Sequence, residues 1–285
     1  MNRLWETPAG LLCWVWTRPR LSVWIPAMAL MIALGRGVLG RWPAAMIIPG
    51  FMWIDPGVTF IPLAGLFGGP AGAWAAAAGT AIGDALGGQW GALTPWRAAG
   101  AGLWALSAMT LWDATFWSAS PAPDHRPHWG PTLRFLWTAW PGALAAAVLT
   151  ALGSDLHRLY AFPYALVLHA AHHGLFSGVI GISLYRILSR EWTPWWGTWR
   201  KRGGISPTDA SMNLRRSMVL IAGILLAAAG GAIYARSSHG LRLFEPYILG
   251  LHAGPGAAWS ALPGLLLAAA ALILPNRRAP AKGKQ

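Results

Sequence analysis

The sequence predicts an all-α integral membrane protein of about eight transmembrane helices, and three observations carry that prediction. Charged residues are 11% of the 285 residues and apolar residues 55%, with a mean hydropathy of +0.43. A soluble domain carries about a quarter charged residues, so this composition belongs to the membrane class. Apolar runs repeatedly approach or exceed the roughly 20 residues that cross a bilayer as a helix. Many of the 20 tryptophans lie near the ends of those runs, where interfacial belts form.

Taken in order, residues 1–20 hold only a short apolar patch, Leu11–Trp16, and read as an interfacial N-terminal segment rather than a secretory signal. The runs then place spans at 21–40, 53–68, 70–88, 96–119, 131–153, 161–187, 214–235 and 247–274. The second is short, and Gly68-Gly69-Pro70 turns it into the third: glycine supplies free dihedrals and proline restarts a helix. Residues 41–52 form a semi-polar connection able to fold back over the protein, and the Pro-rich SPAPDHRPHWGP reads as a loop. These spans group into a six-helix domain at 21–188, a basic Trp-rich cytoplasmic linker at 189–213, a C-terminal helix pair at 214–275 and a disordered basic tail at 276–285. The linker, with its tryptophans and cations, suits the inner leaflet surface.

Charge orients the spans. With the N-terminus in the cytoplasm, 16 of the 22 basic residues fall on inner segments, and five fall on outer ones: Arg41, Arg97, Arg158, Arg236 and Arg242. Arg36 lies within the first span. This is a positive-inside distribution with both termini cytoplasmic. It also accounts for the net charge of +13 without nucleic acid. A single cysteine, Cys13, excludes an intrachain disulfide and a cysteine metal cluster.

Few residues remain to carry chemistry. An ionisable group at the bilayer centre costs roughly 2.5–3.5 kcal/mol on insertion scales, so it faces a cavity or a partner. Asp84, near the outer end of the third span, is either such a group or a snorkelling helix end. Asp113 in the fourth span suits a structural pairing with a basic residue, and Asp55 lies at the outer start of the second. In LHAAHHGLFSG, His169 and His172 are i, i+3 and His169 and His173 are i, i+4, which places them on one helix face. Imidazoles there line a ligand, bond across helices, or hold a metal or haem at His169, His172 and His173, a set without a partner motif. Gly72, Gly79, Gly83 and Gly87 lie along one side of the third span, and Ala29 and Ala33 form an AxxxA in the first; both are close-packing faces. No GxSxG or Walker A motif is present, and no GxGxxG follows a strand, so the chain reads as a non-enzyme that does not itself hydrolyse ATP.

The segment PLAGLFGGPAGAWAAAAGTAIGDALGG resembles the second and third helices of substrate-specific (S) components of energy-coupling factor transporters, the vitamin and metal uptake systems. That resemblance covers residues 21–188. It implies an S-component-like bundle with two extra C-terminal helices, in a bacterial or archaeal cytoplasmic membrane. It further implies a small-molecule substrate held in an outward-facing cup without a cofactor, and partnership with a transmembrane coupling subunit and cytoplasmic ATPases. Mapped onto this chain, the cup takes Trp53, Asp55, Asp84, Gln89, Trp90, Tyr164, His169 and His172, and Ala29 and Ala33 fall where the family docks on its coupling subunit. The N-terminal histidine of nickel and cobalt members is missing from MNRLW. Two other readings stand beside this one. The first is an integral subunit of a membrane redox complex, with haem or metal at His169 and His172, and His252 as a further candidate ligand; the second is an accessory scaffold.

Overall fold

In the computed structural model, the described residues are 19–40, 46–48, 52–114, 130–191, 210–239 and 255–273. The N-terminal segment 1–18, most of the basic linker, and the C-terminal tail lie outside them. The described chain is helical: α1 (Pro19–Gly40), α2 (Phe60–Leu86), α3 (Thr94–Ala114), α4 (Gly130–Leu156), α5 (Phe162–Phe176), α6 (Ile182–Glu191), α7 (Ala210–His239) and α8 (Pro255–Ile273). Five stretches are long and apolar enough to cross a membrane: Pro56–Leu86, Thr132–Leu156, Phe162–Leu188, Leu214–Ser237 and Gly256–Ile273. The chain is thus built as a multi-pass membrane protein.

Two short features interrupt the helices. The connection after α1 contains an antiparallel strand pair, β1 (Met46–Ile48) with β2 (Met52–Trp53), which pairs Met46 with Trp53. The sequence offers only a semi-polar connection there, and this pair is an addition to the all-α expectation. A 3₁₀ turn, Pro56–Thr59, then leads into α2.

Helix α2 is two arms rather than one rod. Gly69 has φ 62 and ψ −142, a conformation that a residue with a Cβ avoids, and Pro70 follows without an N–H to donate. A Cβ on Gly72 would collide with the carbonyl of Ala64, so the chain has doubled back. The turn expected at Gly68-Gly69-Pro70 is where the arms meet.

Small residues then bring neighbours into backbone contact. A Cβ on Gly79 would lie 2.6 Å from the Ala29 carbonyl, and one on Gly83 would lie 3.2 Å from the Ala33 Cα. The AxxxA face of α1 is therefore packed against the second arm of α2, with Ala33 buried. The face expected to dock a coupling subunit is thus one on which the chain's own glycines lie. Close approach of this kind drives association where lipid tails remove the hydrophobic gain between helices.

The remaining helices close the bundle. Helix α3 packs against α2 and α4, and α4 against α5. The C-terminal pair α7–α8 forms its own antiparallel hairpin through Gly223, Gly230 and Gly264. It lies on the α4–α5 flank, sharing a buried cluster of Val148, Leu152, Phe162 and Leu166 with Ala227, Ala235, Ala257 and Ala261. Arg216 donates to the carbonyls of Ala271 and Leu272 and so caps the C-terminal end of α8.

Replacing Gly79 with valine should destabilise the protein by about 1–3 kcal/mol, because the α1–α2 contact has no room for added atoms. Trp74→Ala, at a side chain 67% exposed, should change stability by less than about 0.5 kcal/mol. Thermal unfolding of the two variants in one detergent checks the contrast.

Candidate functional site

Four charged side chains from four segments meet at one end of the bundle. Asp84, in the last turn of α2, has no exposed surface. Its Oδ1 accepts from Arg36 Nε of α1, and its Oδ2 accepts from the Thr94 hydroxyl at 2.9 Å. Arg97 of α3 brings its Nη1 to 3.6 Å from the same Oδ2. The other end of the Arg36 guanidinium donates to Asp55 Oδ2, just before the 3₁₀ turn. Two arginines and two aspartates leave the cluster formally neutral, which is the condition for keeping charge away from water.

Local sequence explains how these groups reach each other. Gly83 precedes Asp84, and a Cβ there would lie 2.9 Å from the Arg36 Cβ and Cδ, so the arginine stem passes over a glycine. Gly35 and Gly57 touch in the same way, which lets the segment carrying Asp55 cross α1 closely. In the turn after α2, the Gln89 N–H donates to the Asp84 carbonyl at 2.7 Å. The Gly91 N–H donates to Thr94 Oγ1 at 3.1 Å. That turn starts α3 at Thr94, three residues before Arg97.

The histidines of α5 face this cluster. The Asp55 N–H donates to His172 Nε2 at 3.2 Å, which makes Nε2 the unprotonated nitrogen and leaves Nδ1 as a donor. His173 Nδ1 lies 3.4 Å from the Ala143 carbonyl and donates to it. The His173 ring sits 5.0 Å from Trp104, 5.7 Å from His169 and 5.6 Å from His172. Among the described residues, no group of three or more His, Cys, Asp or Glu side chains is arranged to hold a metal ion.

Between these groups lies a cavity lined by Arg36, Asp55, Gln89, Arg97, Thr80, Thr150, Trp104 and the three histidines, with Val58, Ile61, Ala101 and Ala146 as apolar wall. The space open to water centres is about 40 Å³. One water needs roughly 10–15 Å³ on that measure, so the cavity as it stands holds a few waters. The Thr80 hydroxyl and the Trp104 indole N–H are both buried without a hydrogen-bond partner among the described residues. Buried polar groups are ordinarily satisfied by protein or by ordered water or ligand. The arrangement offers donors, acceptors and an aromatic wall to a small polar molecule.

Comparisons with protein-family models, with curated proteins and with solved structures found no match.

Of the residues the sequence nominates, Asp55, Gln89, His169 and His172 line the cavity, and Asp84 anchors it from just outside the lining. Trp90 is 67% exposed and Tyr164 stacks on Tyr160 in the core beside α4, both away from the cavity. Trp53 ends β2; its side chain, like that of Asp113, lies outside what is described. His252 also lies outside the described residues. Arg36, Arg97, Thr80 and Trp104 belong to the site without having been nominated. For the two arginines the signal is present in the sequence: Arg36 is a cation inside an apolar span, and such a cation requires an acid nearby.

Arg36→Met should cost about 3–5 kcal/mol, because it leaves two buried carboxylates without their shared counter-charge. Changing Arg36 and Asp55 together to apolar residues should cost less than the single change, because Asp84 and Arg97 remain as a neutral pair. Chemical denaturation of both variants in detergent checks the ordering, and a double variant weaker than the single one contradicts it.

Proposed function

We propose that the chain is the substrate-capture subunit of an energy-coupling-factor-type uptake transporter. It binds a small molecule in an outward-facing cup and passes it inward with a coupling subunit and cytoplasmic ATPases. The observation that carries this reading is the polar cavity between Asp55, the α2–α3 turn and the α5 histidines. Its charged anchors all stem from segments at one end of the bundle, as expected of a cup beneath the connections 41–55 and 87–93. On the positive-inside count this end faces outward. The two arms of α2 enter and return at this outer end, and α1, α3, α4, α5 with α6, α7 and α8 then leave both termini inside.

In this reading Asp84 holds Arg36 and Arg97 in place, while Asp55, Gln89 and the histidines contact the ligand. A vitamin-sized molecule exceeds the space of a few waters, so admission requires the walls to part. The apolar surface of the bundle faces lipid and the coupling subunit. A haem or metal site on α5 has weaker support, since the lone-pair nitrogen of His172 already accepts from the Asp55 N–H and no three ligating side chains are grouped to hold an ion among the described residues.

Native mass spectrometry of gently purified complex tests the proposal through ligand mass and partner mass together. The expected result is a bound small molecule, a transmembrane coupling subunit and two ATPases. Asp55→Asn and His172→Ala should lower ligand occupancy about tenfold, equivalent to 1.4 kcal/mol. Trp90→Ala should leave occupancy unchanged. A bare monomer without ligand or partners sinks the reading.

A further inference from the structure

Helices α7 and α8 lie beyond the six-helix plan of a capture subunit, yet one of them touches the helix that carries the histidines. We propose that the C-terminal pair fixes the rotational position of α5, through the Phe162 ring seated against Gly231. The proposal rests on the reading of the cavity as the binding site for its consequence, but its geometry is tested without a ligand.

Phe162 is the first residue of α5 and is fully buried. Its N–H donates to Asp155 Oδ1 at 3.2 Å, which tethers the backbone to the end of α4. Its ring abuts α7. A Cβ on Gly231 would lie 2.5 Å from Cε1, 2.7 Å from Cζ and 3.0 Å from Cδ1. Three ring atoms at that range mean that the ring edge rests in the notch the glycine leaves. Any side chain at 231 must push it. The adjacent Gly230 faces the other way, into the Ser260 carbonyl of α8. Neighbouring glycines thus serve separate contacts, one holding the pair together and one holding α5.

The contact can reach the cavity because of helical spacing. Phe162, Leu166, His169 and His173 are at i, i+4, i+7 and i+11, along one face of α5. A push on Phe162 therefore turns the histidines with it. Rotation by about 10° moves an atom roughly 6 Å off the helix axis by about 1 Å. That displacement takes the 3.2 Å bond between the Asp55 N–H and His172 beyond hydrogen-bonding range. At its far end α5 does not continue in the same register. It passes into a π-helical turn, Ser177–Gly181, where the Ser177 hydroxyl donates to the His173 carbonyl at 2.6 Å. A π turn is a place where helix register changes, so it separates α5 from α6.

Diethylpyrocarbonate modification of His169, His172 and His173 in the full-length purified protein, localised by peptide mass spectrometry, reads the position of α5. Gly231→Ala should raise the modification rate of these histidines by about threefold, as a local opening would. Gly230→Ala should lower the melting temperature with no change in those rates. Phe162→Leu placed in the Gly231→Ala chain should bring the rates back toward wild type, because the shorter side chain vacates the crowded notch. Unchanged rates in Gly231→Ala overturn the proposal, as does an equal rise in Gly230→Ala. If Gly231→Ala does not fold, Gly231→Ala with Phe162→Leu must fold and react as wild type, and failure of that double variant overturns it too. Loss of the transporter reading would leave these rates as expected, so the two failures are distinguishable.

Discussion

One carboxylate organises this end of the protein. Asp84 accepts from Arg36 of α1 and from Thr94 of α3, with Arg97 alongside, and Arg36 carries the connection on to Asp55. Away from water each of these groups costs several kcal/mol unless it is paired, so none can move along its helix alone. The axial register of α1, both arms of α2, and α3 is therefore set together. The cavity is the space left beside that fixed point, and the bond between Asp55 and His172 joins its histidine wall to it.

Polar pairing sets the register, whereas small residues set the distances. Where helices already sit in an apolar medium, burying more leucine gains little, and backbone proximity is what remains. Gly79 on Ala29, Gly83 under Arg36 and Gly35 on Gly57 follow that logic on one side of the bundle. On the other side Gly223 and Gly264 join α7 to α8, and Gly231 receives Phe162. Large side chains such as Trp74, Trp259 and Ile273 point outward, as a lipid-facing surface allows.

The sequence makes the helical membrane class readable, because composition and run length need no tertiary information. The Gly68-Gly69-Pro70 turn is readable too, since its dihedral demand is local. Asp84 stands out as a charge in an apolar span. Arg36 stands out in the same way, but its pairing with Asp84 does not, because the two are distant in sequence and only the packing of α1 on α2 brings them within reach. Ala29 and Ala33 show the converse: a small-residue face is legible, but whether it packs against its own chain or another is decided by the fold. Trp90 and Tyr164 were nominated by position at a span edge, and side-chain direction took both away from the cavity. The π turn at Ser177 and the strand pair at 46–53 leave no periodic trace.

The Gly69 turn has a consequence for where an open stretch of backbone can sit. The arm between Asp55 and that turn has about 13 residues and rises roughly 20 Å, while the hydrocarbon layer is about 30 Å thick. A chain that reverses after so short a rise brings non-helical backbone to the depth of hydrocarbon, where lipid tails offer its polar groups nothing. Every residue from Ile61 to Gly69 is buried, so helices rather than lipid surround the first arm and its turn. The bundle thus shelters a break in its own backbone that a bare bilayer would not accept.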